Sequence, residues 1–131
     1  MFVVLISIRI QVHDKKVFLY VGTHAYYHGL DTLIEAATLL RARSDIVFLM
    51  IGDGPERERL KQLSVSRGLT NVIFGQSPYE EMAQLYSLAY ASIATLRKID
   101  VAQGMRLSKV FPLLSCAVPV IYAGVGEAAL A

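Results

Sequence analysis

The segment IVFLMIGDGPERERL, residues 46–60, contains a strand signal, a turn signal and a helix signal in immediate succession. Ile46–Ile51 is an uninterrupted apolar run, which is typical of a strand buried on both faces of a parallel sheet. Gly52–Pro55 supplies the residue types that favour a tight turn and the first turn of a helix. Charged residues with Leu60 and Leu63 follow at helical spacing. The segment therefore predicts one β-α unit.

The same alternation of strands and helices continues along the rest of the chain. Apolar residues at helical spacing predict a helix that begins near Asp31, and another begins after Pro78. Short β-branched or aromatic runs predict strands at Val17–Val21, Ile46–Ile51, Val72–Phe74, Ala91–Thr95 and Val118–Tyr122. Repeated units of this kind predict an α/β fold, a Rossmann-like three-layer sandwich with a mostly parallel sheet of about five or six strands.

The composition suits a single domain of this class and argues against several others. The 131 residues are 54% hydrophobic and 18% charged, as a sheet covered on both faces requires. A net charge of +2 with scattered basic residues excludes general nucleic-acid binding. The single cysteine, Cys116, cannot form an internal disulfide, which favours a reducing, cytoplasmic compartment. The apolar run Phe2–Ile8 is too short to span a bilayer.

The first residues of the chain stand apart from the repeated units. We assign residues 1–15 to an N-terminal extension and residues 16–131 to the Rossmann-like domain. Within the extension, Ile8, Ile10 and Val12 alternate with polar residues, and this period favours an additional strand.

Ligands of open parallel sheets bind beyond the carboxyl ends of the strands, so the segments that follow each strand are the candidate site. Five segments meet this condition: Gly22–His24, Gly52–Pro55, Gly75–Pro78, Leu96–Leu107 and Gly124–Glu127. Glycines in these segments permit close backbone approach to a ligand.

Several motifs follow one another along the chain: YVGTH from Tyr20, HGLDTLIEAA from His28, IGDGPERERL from Ile51, NVIFG from Asn71 and SK at Ser108. In this order and spacing they resemble the donor-binding domain of the group 1 retaining glycosyltransferases, whose GT-B architecture has two Rossmann-like domains. The nearest type is that of surface-polysaccharide assembly. The resemblance implies that residues 16–131 bind a nucleotide sugar, with a UDP-sugar favoured.

The resemblance also implies a diphosphate site near the first strand. The loop of Gly22, Thr23 and His24 corresponds to the segment that approaches the diphosphate. His28 stands where the family often has a basic residue that holds phosphate. Gly54 either contacts the ligand or serves the turn alone, and both interpretations remain open.

Further site residues follow from the same resemblance. Ser108 and Lys109 would direct a hydroxyl and an ammonium at the diphosphate, and Lys109 is the expected catalytic residue because its charge offsets that of the departing group. An ordinary solvated lysine is the alternative. Gln76 and Ser77 correspond to the base-binding loop, and Glu127 to a glutamate near the donor sugar.

The chain departs from the family pattern at three positions. Family members commonly carry two glutamates where this chain has Gly104 and Pro112, and the second of them binds the ribose hydroxyls. Ala25 replaces a glycine of the nearer relatives. The chain also has no Asp-x-Asp pair. We expect no metal ion and no cofactor beyond the nucleotide sugar, which is the substrate.

The resemblance implies a donor-binding half that serves transfer to a saccharide or a lipid-linked acceptor. The acceptor normally binds to an N-terminal domain, so we expect the isolated chain to be inactive and to need that domain or a partner subunit. The alternatives are a non-catalytic nucleotide-binding or scaffold remnant, one subunit of a split transferase, and a sugar epimerase of the same architecture.

The family also has a last strand and closing helices, and these would follow the end of this chain at Ala131. We therefore expect a domain truncated at its C-terminus, with an exposed sheet that favours a homo-oligomer. A lipid-linked acceptor would place the full, cytoplasmic enzyme at the inner face of the membrane.

Overall fold

The computed structural model describes residues 8–25, 28–95 and 119–123. The strands are β1 (Lys16–Val21), β2 (Ile46–Ile51), β3 (Val72–Gly75), β4 (Ala89–Thr95) and β5 (Val120–Ala123). The helices are α1 (Asp31–Leu39), α2 (Arg57–Ser66) and α3 (Met82–Leu88), and a 3₁₀ turn, Tyr79–Glu81, leads into α3.

The strands form one sheet in the order β3-β2-β1-β4-β5, and every neighbouring pair is parallel. Strands β2 and β3 lie on one side of β1, and β4 and β5 lie on the other. The strand order therefore reverses between β1 and β4. The predicted α/β, Rossmann-like fold is confirmed, and each predicted strand starts within two residues of an observed one. Such a reversal creates a crevice at the carboxyl ends of the strands.

Both faces of the sheet are covered. Successive strand residues point to opposite sides, so each strand supplies apolar side chains to both faces. Tyr20 and Met50 pack with apolar residues of α1 and α2 on one face. Leu19 and Leu49 pack on the other face with Leu85 of α3 and with the first described residues of the chain. All six residues of β2 are therefore buried, as its uninterrupted apolar sequence predicts.

The predicted strand in the N-terminal extension is wrong for the residues that the structure describes. Residues 8–11 are helical, and the amide of Val12 donates to the carbonyl of Ile8. Ile8 and Val12 are one helical turn apart and both are buried, whereas Ile10 is 73% exposed. Over so few residues a spacing of four fits a helix as well as a strand, and the packing against Leu85 decides for the helix.

Helix α2 ends at Ser66. Gly68 follows it with φ +66°, the left-handed conformation in which glycine closes a helix. Near the start of α2, Arg59 forms a bidentate pair with Asp31 at the start of α1, with nitrogen–oxygen distances of 2.7 and 3.0 Å. This exposed pair links the two helices on one face of the sheet.

Candidate functional site

A cleft of about 440 Å³ opens at the carboxyl ends of β1, β2 and β3. Its lining comes from three strand ends and from the start of α3: Val21, Gly22, Thr23, Ile51, Gly52, Asp53, Gln76, Ser77 and Met82. The floor is apolar, while Thr23, Asp53 and Gln76 are exposed and bring hydroxyl, carboxylate and amide groups to the rim. The cleft thus combines an apolar surface with a few polar groups, as small-molecule sites do.

The loops after β1 and β2 are joined backbone to backbone along one wall of this cleft. The amide of Gly22 donates to the Ile51 carbonyl at 3.0 Å, and the amide of His24 donates to the Asp53 carbonyl at 2.8 Å. A Cβ on Gly52 would lie 2.0 Å from the Gly22 carbonyl oxygen, and φ at Gly52 is +139°. Only glycine fits there, and its lack of a side chain lets the backbones of the two loops approach this closely.

The ring of His24 lies behind this wall and not in the cleft. It is fully buried, between the rings of Tyr20 and Phe74 at centroid distances of 5.6 and 6.1 Å. Neither ring nitrogen has a hydrogen-bond partner of normal geometry among the described residues. Burial first, and then the charge of Arg57, lower the pKa of His24 below its ordinary value. The ring is therefore neutral at pH 7.

His28 is also buried, with 6% of its surface exposed, three residues before the start of α1. Its ring lies edge-on to Tyr20 at 6.1 Å, and its carbonyl accepts a hydrogen bond from the hydroxyl of Thr95. From the resemblance we expected the loop of Gly22, Thr23 and His24 to approach the diphosphate, and His28 to hold phosphate as a basic residue. In this structure the rings of His24 and His28 both pack edge-on against Tyr20.

The structure brings four predicted site residues together in the cleft: Gly22, Thr23, Gln76 and Ser77. Gly54 is not part of the lining, and instead lies against the backbone of His24. The remaining predicted residues lie outside the described part of the chain: Ser108, Lys109 and Glu127, together with the departures at Gly104 and Pro112. Ligand binding by all of these residues stays a prediction.

The apolar part of the lining was not predicted. Val21 and Ile51 were assigned only to strands, because an apolar strand residue gives no sign in the sequence that it contacts a ligand. Met82 was assigned no role. The rule that strand ends form the site, combined with the alternation of faces, would have selected Val21 and Ile51. Asp53 was included only in a turn segment, although its carboxylate stands at the cleft rim.

Glu81 is a second residue whose environment the sequence did not predict. It ends the 3₁₀ turn beside the cleft residue Met82, with 3% of its surface exposed. Neither of its carboxylate oxygens has a hydrogen-bond partner among the described residues.

Neither a metal-binding cluster nor a membrane-spanning helix is present among the described residues. Within the described ranges, no three His, Cys, Asp or Glu side chains are grouped so that they could hold a metal ion. None of the helices in that part of the chain has the length and apolar character needed to cross a membrane.

Known proteins of similar sequence identify the family of this chain. The family model for glycosyl transferases group 1 matches residues 7–124. The O-antigen chain mannosyltransferase C of Escherichia coli is 33% identical over 106 residues, which cover 76% of this chain and 27% of that enzyme. This chain thus spans about a quarter of the length of that relative. Because the family model covers most of the sequence, the chain belongs to the group 1 glycosyl transferases.

Solved structures show the same fold. Anabaena Alr3699/HepE in complex with UDP has a TM-score of 0.75 and 21% sequence identity, and the match covers 95% of this chain and 34% of that one. The same protein in complex with UDP-glucose has a TM-score of 0.73 over the same shares, also at 21% identity. At this identity the likeness establishes the fold alone.

Proposed function

We propose that this chain is the donor-binding half of a glycosyltransferase that moves a sugar from a nucleoside diphosphate sugar, with a UDP-sugar favoured, to a saccharide or lipid-linked acceptor. The observation that carries the proposal is the position of the cleft at the carboxyl ends of three parallel strands, where folds of this class bind nucleotides. Membership of the group 1 family and the solved complexes of Alr3699/HepE with UDP and UDP-glucose support it.

In this proposal the two sides of the cleft have different tasks. Gly22 and Thr23 receive the diphosphate, because a glycine permits close backbone approach and the Thr23 side chain is exposed at the rim. Gln76 and Ser77, which follow β3, offer amide and hydroxyl groups to the edge of the base. The apolar floor at Val21 and Ile51 provides a surface for the base or the ribose.

The transfer itself requires little covalent chemistry from the protein. The bond between the anomeric carbon and the diphosphate oxygen breaks, a bond to the acceptor oxygen forms on the same face, and the acceptor proton passes to the departing diphosphate. The protein then has to position the donor and to offset the charge that develops on the leaving group. We assign the second task to Lys109.

In this proposal residues 16–131 supply the donor site, and a separate domain binds the acceptor. The match to the mannosyltransferase of Escherichia coli covers 27% of that enzyme, which leaves room for such a domain in the relative. A lipid-linked acceptor would bring the complete enzyme to the cytoplasmic face of the membrane.

A calorimetric titration of the 131-residue chain with UDP, GDP and UDP-glucose tests the proposal. We expect UDP to bind. Gln76→Ala should weaken binding by about twofold to twelvefold, because one hydrogen bond contributes about 0.5–1.5 kcal/mol. Lys109→Ala should weaken it by at least as much, since hydrogen bonds to charged groups are stronger.

Gln84→Ala is the matched control for the Gln76 variant. Gln84 is exposed on α3 and does not line the cleft, so the same truncation there should leave UDP affinity unchanged. A folded chain that binds none of these nucleotides would overturn the proposal in favour of the scaffold interpretation. Tighter binding of GDP than of UDP would change the assigned base.

A further inference from the structure

Tyr20 connects the core of the sheet to the loop that lines the cleft. Its ring is fully buried on the face that packs against α1 and α2, opposite the face to which the cleft residue Ile51 belongs. Its hydroxyl nevertheless donates to the Thr23 carbonyl at 2.7 Å. A buried tyrosine hydroxyl requires a partner, and this one is a cleft residue.

The peptide group between Thr23 and His24 is consequently held on both sides. Its carbonyl accepts from Tyr20, and its amide donates to the Asp53 carbonyl at 2.8 Å. Because a peptide group is planar, these two bonds together fix its orientation. The carbonyl oxygen points towards the buried hydroxyl, and so away from the ligand side of the loop.

The direction of this carbonyl matters for an anionic ligand. A carbonyl oxygen carries partial negative charge, and one turned into the cleft would repel a diphosphate. At the residue before Thr23, the Gly22 amide already donates to the carbonyl of Ile51. The Tyr20 hydroxyl is thus one of the two contacts that hold the Thr23–His24 peptide group, and the one that holds its carbonyl oxygen.

We propose that Tyr20 is a positioning residue of the donor site, which acts through the hydrogen bond from its hydroxyl to the Thr23 carbonyl and sets the loop for a diphosphate. The inference rests on the proposed function, and adds to it a residue that does not line the cleft. The ring of Tyr20 also packs edge-on against His24 and His28, and phenylalanine retains that packing. Tyr20→Phe therefore removes the hydroxyl alone.

The experiment compares UDP with uridine, which has the same base and ribose but no diphosphate, as ligands of the 131-residue chain. We expect Tyr20→Phe to weaken UDP binding by about fivefold, the equivalent of one hydrogen bond of roughly 1 kcal/mol. Uridine binding, followed by NMR titration, should be unchanged. Hydrogen exchange at the His24 amide should be faster, since its peptide group is no longer held on both sides.

Tyr90→Phe is the matched control, because Tyr90 lies 58% exposed near the start of β4, at the opposite end of the sheet from the cleft. It should change none of the three measurements. If Tyr20→Phe leaves UDP binding unchanged, the role of Tyr20 is overturned and the proposed function is not affected. The same holds if the variant weakens the binding of UDP and of uridine equally. A wild-type chain that binds no UDP would overturn the proposed function and the role of Tyr20 together.

Discussion

The backbone of His24 occupies the space into which a side chain on Gly54 would extend. A Cβ atom at Gly54 would lie 2.6 Å from the His24 carbonyl oxygen and 2.8 Å from its amide nitrogen, and φ at Gly54 is +150°. The amide of Glu56 donates to that same carbonyl at 2.9 Å. The loop after β1 therefore lies directly on the turn that starts α2, and glycine is what permits this contact.

We expect Gly54→Ala to destabilise the chain by about 2–4 kcal/mol, because both the backbone conformation and the contact with His24 become unfavourable. Urea unfolding measures this change. Gly68→Ala is the control: φ there is +66°, but a Cβ would meet nothing within 4 Å, so only the conformational cost of about 1 kcal/mol applies. Equal losses in the two variants would show that the contact with His24 does not matter.

The strands were predictable from sequence because their burial leaves a direct signal. Ile46–Ile51 is apolar at every position and is buried at every position, and its bounds were predicted without error. The helical segment at residues 8–11 was not predictable, since its short apolar pattern fits two periods and its packing against α3 decides between them. The sequence thus predicts a strand well when both faces of that strand are buried. It predicts a short element poorly when packing against residues distant in sequence decides the structure of that element.

The candidate site was predictable only in part. Gly22 and Gln76 follow strands, and strand ends converge in a parallel sheet, so their shared cleft could be expected. The burial of His24 could not, because it depends on Gly52 and Phe74, which reach its ring only through the register of β1, β2 and β3. A histidine in a loop is more often exposed than buried, and composition alone gives no sign of the exception.

The buried neutral ring of His24 predicts a loss of stability in acid. Its pKa is lowered mainly by burial and then by Arg57, whereas the backbone of Gly22 and Asp53 acts in the opposite direction without cancelling the shift. In the unfolded chain the pKa of a histidine is about 6.5. The unfolded state therefore gains a proton first as the pH falls below about 6.5, and stability decreases from there towards the lowered pKa of the folded state.

Urea unfolding at pH 7.5 and at pH 5.5 measures this effect. We expect His24→Phe to lose less stability than the wild type between the two pH values, because the apolar ring cannot titrate. His13→Asn is the control, since the side chain of His13 is 79% exposed and the wild-type pH dependence should remain. A pH dependence that is the same in His24→Phe and in the wild type would contradict the assignment to His24.

Asp53 places a carboxylate in the cleft that we assign to a diphosphate. Its Oδ1 accepts a hydrogen bond from the Gly54 amide at 2.8 Å, and asparagine can keep this bond while it removes the charge. We expect Asp53→Asn to tighten UDP binding by about twofold to fivefold at low salt, and by less at high salt, because the side chain is exposed and the repulsion is screened. Calorimetric titration at two salt concentrations measures both effects.

Asp45→Asn removes the same charge at the other end of β2, where the carboxylate pairs with Arg43 at 2.9 Å. It should leave UDP affinity unchanged at either salt concentration. Weaker UDP binding by Asp53→Asn would contradict the repulsion argument, and would show instead that the carboxylate accepts a hydrogen bond from the ligand.

Truncation of a residue on the buried face of α2 should cost far more stability than truncation of a residue on its exposed face. Leu60 is fully buried in the core beneath the helix, while Val65 is 77% exposed on the same helix. Leu60→Ala should cost about 2–5 kcal/mol, through lost apolar burial and the cavity that remains. Val65→Ala should change stability by less than about 0.5 kcal/mol, because alanine favours a helix and little apolar contact is lost. Urea unfolding of both variants at pH 7.5 measures the difference, and comparable costs would mean that α2 does not cover the sheet with the face that contains Leu60.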